Sequence, residues 1–232
     1  MFNNQIVWIT GADNSLALPM DITDESSLAS KVESVKNWGG RIDMLINNAG
    51  ISQRSSCLET EMSTYRTLFE VDVFGQIALT KAVLPIMLEQ GSGHFAVTSS
   101  VSGKIGVPFR TGYCAAKHAV MGFFDALRTE VDHHNIKVTT ITPGYIRTPI
   151  SANAIVGDGS AYGQEDNEIR GGMDVGDCAK IIIKGFMRSK PEISVGNGFE
   201  MNALWLKRYF PKFVMKMAAK QYAKMAQNKD LG

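Results

Sequence analysis

Short, strand-like apolar runs alternate with longer runs of helical period along most of the chain, and that alternation restricts the fold more than any single residue does. The strand candidates are IVWITGA, SLALPMD, IDMLINNAG, GHFAVTSS, IKVTTITPG and PEISVGN. The helical candidates are SLASKVESVKNWGG, STYRTLFEVDVFGQIALTKAVLPIMLEQ, YCAAKHAVMGFFDALRTEVDHH and CAKIIIKGFM. Strands that are apolar nearly throughout, with little alternation, are buried on both faces. The pattern therefore predicts an α/β fold: a doubly wound parallel sheet in three αβα layers, forming a single domain over residues 1–199. Residues 200–232, beginning EMNALWLKRYFPKFVMKMAAK, read as a basic, amphipathic helical extension. Ser151 to Gly172, rich in Gly, Ser, Asn and Asp, reads as a long mobile loop of the kind that forms lids, the plainer alternative being a disordered surface excursion.

Composition removes several classes. A net charge of +1 over 232 residues offers no concentrated basic surface for nucleic acid. Cys57, Cys114 and Cys178 lie far apart without metal-ligand spacing, so neither a disulfide framework nor a metal site is expected, and a reducing compartment is. The N-terminus shows no charged-then-apolar leader and no apolar run reaches the roughly 20 residues that span a bilayer, so a soluble, cytoplasmic protein is expected.

One stretch conflicts with a parallel sheet. If IVWITGA and SLALPMD are both strands of it, only Ala12 to Leu16 joins them, whereas a parallel crossover needs a dozen residues or more. Either the two are not neighbours in one sheet or residues are missing near Ala12 and Asp13.

Four features that carry chemistry follow in order. Asn47-Asn48-Ala49-Gly50 ends a buried strand at the sheet edge where such folds bind ligands; small residues there let a flat cofactor approach, and the Asn amides can tie loops together. Ser100 ends HFAVTSS with its hydroxyl available to a substrate oxygen. Tyr113 and Lys117, at i and i+4, share a helix face, where an ammonium favours the phenolate and makes Tyr113 a proton donor or acceptor. Pro143-Gly144 with Thr148 closes another strand at the same edge, able to hold an amide such as nicotinamide. Taken singly, each has a plainer reading: an ordinary turn, a strand end, a surface pair on a helix.

Taken together, TGA, NNAG, Ser100, YxxxK and PGxxxT resemble the short-chain dehydrogenase/reductase family, in its hydroxysteroid-dehydrogenase-like branch, over Ile6 to about Gly198. The resemblance implies a Rossmann fold and an NAD(P)-dependent oxidoreductase that moves a hydride reversibly between a nicotinamide cofactor and a secondary alcohol or carbonyl. It makes Tyr113 the acid/base, has Lys117 bind the nicotinamide ribose and act on the phenol, and has Ser100 polarise the substrate oxygen. Cofactor contacts are implied for Thr10, Gly11 and Ala12, for Asp21 and Ile22 at the adenine, for Asn48, Ala49 and Gly50, and for Pro143, Gly144, Ile146 and Thr148 around the carboxamide. NADP(H) is favoured over NAD(H) from the PFRTGYCAAKHAVMGFFDALRTE and YIRTPIS neighbourhoods.

The resemblance also addresses the short link. Family members insert a glycine-rich phosphate turn, a helix, a strand and another helix after the TGA; here that block, roughly 35–40 residues, is absent between Ala12 and Asp13. The expectation is that these 232 residues are the ordered part of a cofactor-free protein, numbered continuously; a genuine deletion would cripple folding and cofactor binding. A second departure is Asp72, where the family has an Asn whose backbone carbonyl anchors a water in the proton relay; a buried carboxylate there would raise the lysine pKa and compete for Lys117. These two departures support the alternative reading, a catalytically impaired cofactor-binding or interaction protein.

Implied partners are a small-molecule carbonyl or alcohol and further copies of the chain, as a homodimer or homotetramer built on the helices starting near Ser63 and Gly112. The basic extension is expected to cover the substrate cleft or a subunit interface, with contact to an anionic membrane surface as the alternative. His133 and His134, ending a helix, are expected to be solvated.

Overall fold

The computed structural model describes residues 5–10 and 18–227. Five strands, β1 (Val7–Ile9), β2 (Met44–Asn47), β3 (Gly93–Thr98), β4 (Ile136–Pro143) and β5 (Glu192–Val195), form one wholly parallel sheet in the order 1-2-3-4-5. The helices are α1 (Glu25–Gly39), α2 (Met62–Phe69), α3 (Gly75–Gln90), α4 (Thr111–Val131), the single turn α5 (Asn167–Arg170), α6 (Val175–Met187), α7 (Phe199–Tyr209) and α8 (Pro211–Gln227).

Alternation of side chains across the strands divides the core in two. Trp8, Leu45, Phe95, Val97 and Val138 point to one face, where α1, α3 and α4 cover them through Leu28, Val32, Leu79, Val83, Val120 and Phe124. Met44, Ala96, Ile141, Ile193 and Val195 point to the other, against Cys178 and Phe186 of α6. Each fully buried side chain of the size of Phe95 or Leu45 contributes roughly 1.5–3 kcal/mol. The three αβα layers and the single domain are as expected, and the helical C-terminal part is α7 and α8. All four crossovers step the same way across the sheet. The helices of the first three share a face and α6 takes the opposite one, so the β4-to-β5 crossover has the opposite hand to the others, against the strong general preference for a single hand.

Of the expected strand SLALPMD, Ser15 to Ala17 lie outside the described residues, and over the rest the expectation is corrected. Leu18, Pro19 and Met20 form no strand; Pro19 cannot donate to a ladder, and Leu18 and Met20 instead pack onto the core beneath α1. The crossover from β1 to β2 is therefore made by α1, and no short link between parallel strands is needed. The Ala12–Asp13 junction lies outside the described residues. Ser151 to Gly172 is not a free excursion either: Ser151, Ala154 and Asp166 are buried, and Ile155 bridges both Gln53 and Ala161.

Residues Met62–Gln90 run as one helix whose apolar window has a mean hydropathy of 1.5, long and apolar enough by composition to cross a membrane. The sequence reading found no such run because its charged residues interrupt the apolar ones. In the fold that apolarity is core: Leu68, Leu79, Val83 and Met87 are fully buried. The helix is α throughout except for one π turn, Glu70–Phe74, between α2 and α3. It stops at Gly91, whose φ of 64° suits a left-handed cap that a residue with a Cβ would resist.

Candidate active site

The C-terminal ends of β2, β3 and β4 lie side by side, and the cleft is built around that edge. Thr10, at the end of β1, is buried and positions the first wall: its Oγ1 accepts the N–H groups of Asn48 and Ala49, both at 2.9 Å. The Asn48 amide then ties three strand ends together, donating to the Thr10 carbonyl at 3.3 Å and accepting from Thr98 Oγ1 at 3.1 Å. Gln76 Nε2 donates to the Ala49 carbonyl at 2.8 Å, fixing the same turn from α3. Ser100 leaves β3 in an extended conformation and its Oγ accepts the Ser102 N–H at 3.1 Å, which leaves the hydroxyl proton free to donate elsewhere.

Helix α4 carries the second wall. Its unpaired first-turn donors are satisfied from a distance: Gln53 Oε1 accepts the N–H of Gly112 at 2.8 Å and of Tyr113 at 3.4 Å. Gly112 is required, since a Cβ there would stand 2.8 Å from both Leu68 and Tyr65 of α2. One turn on, the Lys117 ammonium sits 5.5 Å from the centre of the Tyr113 ring. Lys117 is buried; its Nζ donates to the Thr98 carbonyl at 3.3 Å and lies 3.4 Å from Asp72 Oδ2.

Asp72 reaches that position because the π turn aims it inward. Its carboxylate is fully buried, Oδ1 accepts the Ile51 N–H at 2.8 Å, and Oδ2 has no hydrogen-bond partner. Burial pushes the Asp72 carboxyl above the usual carboxylate range, opposed by the Lys117 charge and the Ile51 bond. For Lys117, burial works against the ammonium, but the charges of Asp72 and Tyr113 outweigh it and hold Lys117 above its ordinary value. Gly50 closes the back of the pair: a Cβ there would be 2.9 Å from Asp72 Oδ1 and 3.1 Å from Lys117 Nζ.

These walls enclose one cleft of about 1310 Å³. The structure brings Asn48, Ala49, Gly50, Ser100, Tyr113, Lys117, Pro143, Gly144, Ile146 and Thr148 of the expected residues onto it. Thr10 and Asp72 stand behind its lining. Asp21 and Ile22, expected at the adenine, do not line it: Asp21 is exposed and its Oδ1 accepts from Thr23 N and Oγ1, which holds its carboxyl below the usual range, while the Ile22 carbonyl packs on Gly75. Gly11 and Ala12 lie outside the described residues. His133 and His134 are exposed, as expected.

Two parts of the cleft were not foreseen as residues. Its roof is the C-terminal extension, through Ala203 and Leu206 of α7 and Val214 and Met217 of α8, with Tyr222 stacked 5.1 Å from Phe109. Glu200 of α7 presses on Gly144 and accepts the Tyr145 N–H at 3.2 Å. At the far side, buried Asp166 pairs with Arg110 and, at 3.4 Å, with Arg54, while Arg110 also donates to Ser52 Oγ at 2.7 Å. No local motif announces this cluster; only the fold brings residues 52–54, 110 and 166 together.

The sequence pattern of the short chain dehydrogenase family matches residues 4–157. The chain is similar to dehydrogenase/reductase SDR family member 7B of Danio rerio, with 39% identity over 204 residues that make up 88% of this chain and 66% of that protein. It thus spans about two thirds of the length of the curated relatives it matches. Among solved structures it is similar to a short-chain dehydrogenase from Streptomyces avermitilis, with a TM-score of 0.75 at 24% identity, covering 97% of this chain and 90% of that one. It is also similar to ElxO solved with NADP bound, with a TM-score of 0.54 at 30% identity, covering 55% and 52%.

Proposed function

The chain belongs to the short-chain dehydrogenase family, and from that premise we propose that it is an NAD(P)-dependent oxidoreductase acting on a secondary alcohol or carbonyl, with Tyr113 as its acid/base. The observation that carries this reading is the gathering of Ser100, Tyr113 and Lys117 on one cleft with Pro143, Gly144, Ile146 and Thr148. The nicotinamide end of a dinucleotide would be held beside Asn48, whose amide is fixed between the Thr10 carbonyl and Thr98 Oγ1, and beside Gly50, where a Cβ would displace Asp72 and Lys117. The cofactor, when bound, supplies or accepts the hydride. In reduction the Tyr113 hydroxyl gives its proton to the substrate oxygen, which the Ser100 hydroxyl orients by donating to the same atom. In oxidation the Tyr113 phenolate, the form that the Lys117 ammonium favours, takes the proton back. Replacing Tyr113 by Phe is expected to abolish turnover while leaving cofactor affinity near that of the parent, measured by NADPH fluorescence titration; surviving turnover would reassign the acid/base.

NADP(H) is the proposed cofactor over NAD(H), supported by the neighbourhoods of Tyr113 and Ile146 and by the NADP complex of ElxO. The proposal extends to a cytoplasmic homodimer or homotetramer. The outer face of the extension, where Trp205, Tyr209, Phe210 and Phe213 are exposed among Lys212, Lys216 and Lys220, supports contact with an anionic membrane surface. The phosphate cradle bears on whether the protein turns over at all. An intact mass of 25.4 kDa would leave the chain without the block after Ala12 and favour the impaired, cofactor-binding alternative; a mass about 4 kDa higher would supply the block.

A further inference from the structure

Position 72 gives this site a charge balance that an amide there would not. We propose that Asp72 is a positioning residue whose carboxylate neutralises Lys117, so that Tyr113 faces a closed ion pair instead of a lone ammonium, and that position 72 thereby sets the working pH of the enzyme. The inference rests on Tyr113 being the acid/base.

Three independent contacts build the arrangement. The π turn, the one break in an otherwise continuous helix from Met62 to Gln90, turns Asp72 into the core. The Ile51 N–H anchors one carboxylate oxygen and leaves the other, unpartnered by any hydrogen bond, 3.4 Å from Lys117 Nζ. Gly50 supplies the space in which the two charges meet. The ionisable groups acting on Lys117 are Asp72 from the π turn and Tyr113 from its own helix; β3 contributes only the Thr98 carbonyl, and the loop after β2 only the Ile51 N–H on Asp72. Among the described residues, no further charge acts on the pair.

The sign follows from electrostatics. In the reducing direction Tyr113 must carry its proton, so activity falls on the alkaline side. A negative charge behind Lys117 lessens the pull of the ammonium on that proton and moves the alkaline limb up. Substituting Asp72→Asn keeps the shape and an oxygen for the Ile51 N–H but removes the charge. The alkaline limb should then move down by about one pH unit, the size of effect that one unit charge several ångströms away produces at an effective dielectric of about 20.

The test is the pH profile of NADPH-dependent reduction of phenanthrenequinone, as a generic dicarbonyl probe, by the full-length parent, Asp72→Asn and Tyr113→Phe, with thermal melting run on each. A downward move of the limb in Asp72→Asn, with the protein folded, supports the inference; a purely structural role would change the melting temperature and the maximal rate but not the limb. An unchanged limb in Asp72→Asn with Tyr113→Phe inactive overturns the inference and leaves the acid/base reading standing. Retained turnover in Tyr113→Phe overturns both. Should Asp72→Asn not fold, Asp72→Ser, which also removes the charge, is read against the same limb.

Discussion

Replacing Asp166 by Asn should reveal how firmly the segment between β4 and α6 is fastened to the rest of the molecule. Asp166 is 7% exposed and is the only carboxylate shared by Arg110 and Arg54 among the described residues, with side chains 12% and 15% exposed. The substitution preserves volume and keeps the Asp166 N–H to Ser151 Oγ. It removes a charge-assisted hydrogen bond, worth about 1.5–3 kcal/mol, and leaves two guanidinium groups mostly out of water with no counter-charge. Breaking a buried pair by removing one partner costs roughly 3–5 kcal/mol, and the residual exposure of both arginines places this case at the lower end, about 3 kcal/mol. For a chain of this size that is a melting temperature lower by about 6–12 °C. Urea unfolding followed by circular dichroism measures it directly, as a lower midpoint with an unchanged slope. Asp177→Asn, which breaks the Lys180 pair whose side chains are 73% and 63% exposed, is the control and should change stability by less than about 0.5 kcal/mol. If Asp166→Asn unfolds within about 1 kcal/mol of the parent, the three-residue cluster is not a fastening and the reasoning fails.

Gly50→Ala should be folded but slow: its Cβ would push into Asp72 and Lys117, so the rate is expected to fall at least tenfold with about 1–2 kcal/mol of destabilisation, read from steady-state kinetics and melting of one preparation. Half-buried His94, which shares a 2.8 Å hydrogen bond with Thr139, is pushed down to about 4 by desolvation, with Lys137 adding to the effect. The unfolded state therefore binds the proton first, so stability is whole above about 6.5 and falls as the pH drops from there toward about 4. Partial exposure limits the loss to about 2–3 kcal/mol, and His94→Gln should flatten that part of a urea-midpoint-against-pH curve.

The layers, the strand and helix alternation and the cleft wall were all legible because they depend on local pattern and on a fixed edge of the sheet. Pro143 ends a strand, Ser100 follows one, Tyr113 stands in the first turn of α4 with Lys117 one turn on, and parallel packing then brings those ends together. What was not legible depends on distant pairing. Leu16 to Met20 carries the apolar composition of a strand, but composition does not show that, among the described residues, β1 pairs on one side only. The Arg110–Asp166–Arg54 cluster joins three loops with no spacing to link them, and the Glu200 contact on Gly144 depends on where α7 comes to rest. Asp72 was noticed as a departure, yet only the π turn shows that its carboxylate, not merely its backbone, reaches Lys117.

Among the described residues β1 pairs with β2 and with nothing on its other side. The contacts that matter to the cleft, from Thr10 to Ile46, Asn48 and Ala49, all point inward. A crossover unit spliced into the chain after Thr10 would thus extend the sheet outward without breaking any bond that shapes the cleft wall. In that sense the cleft wall and the outer edge of β1 are separable: among the described residues, no contact that shapes the first depends on the second.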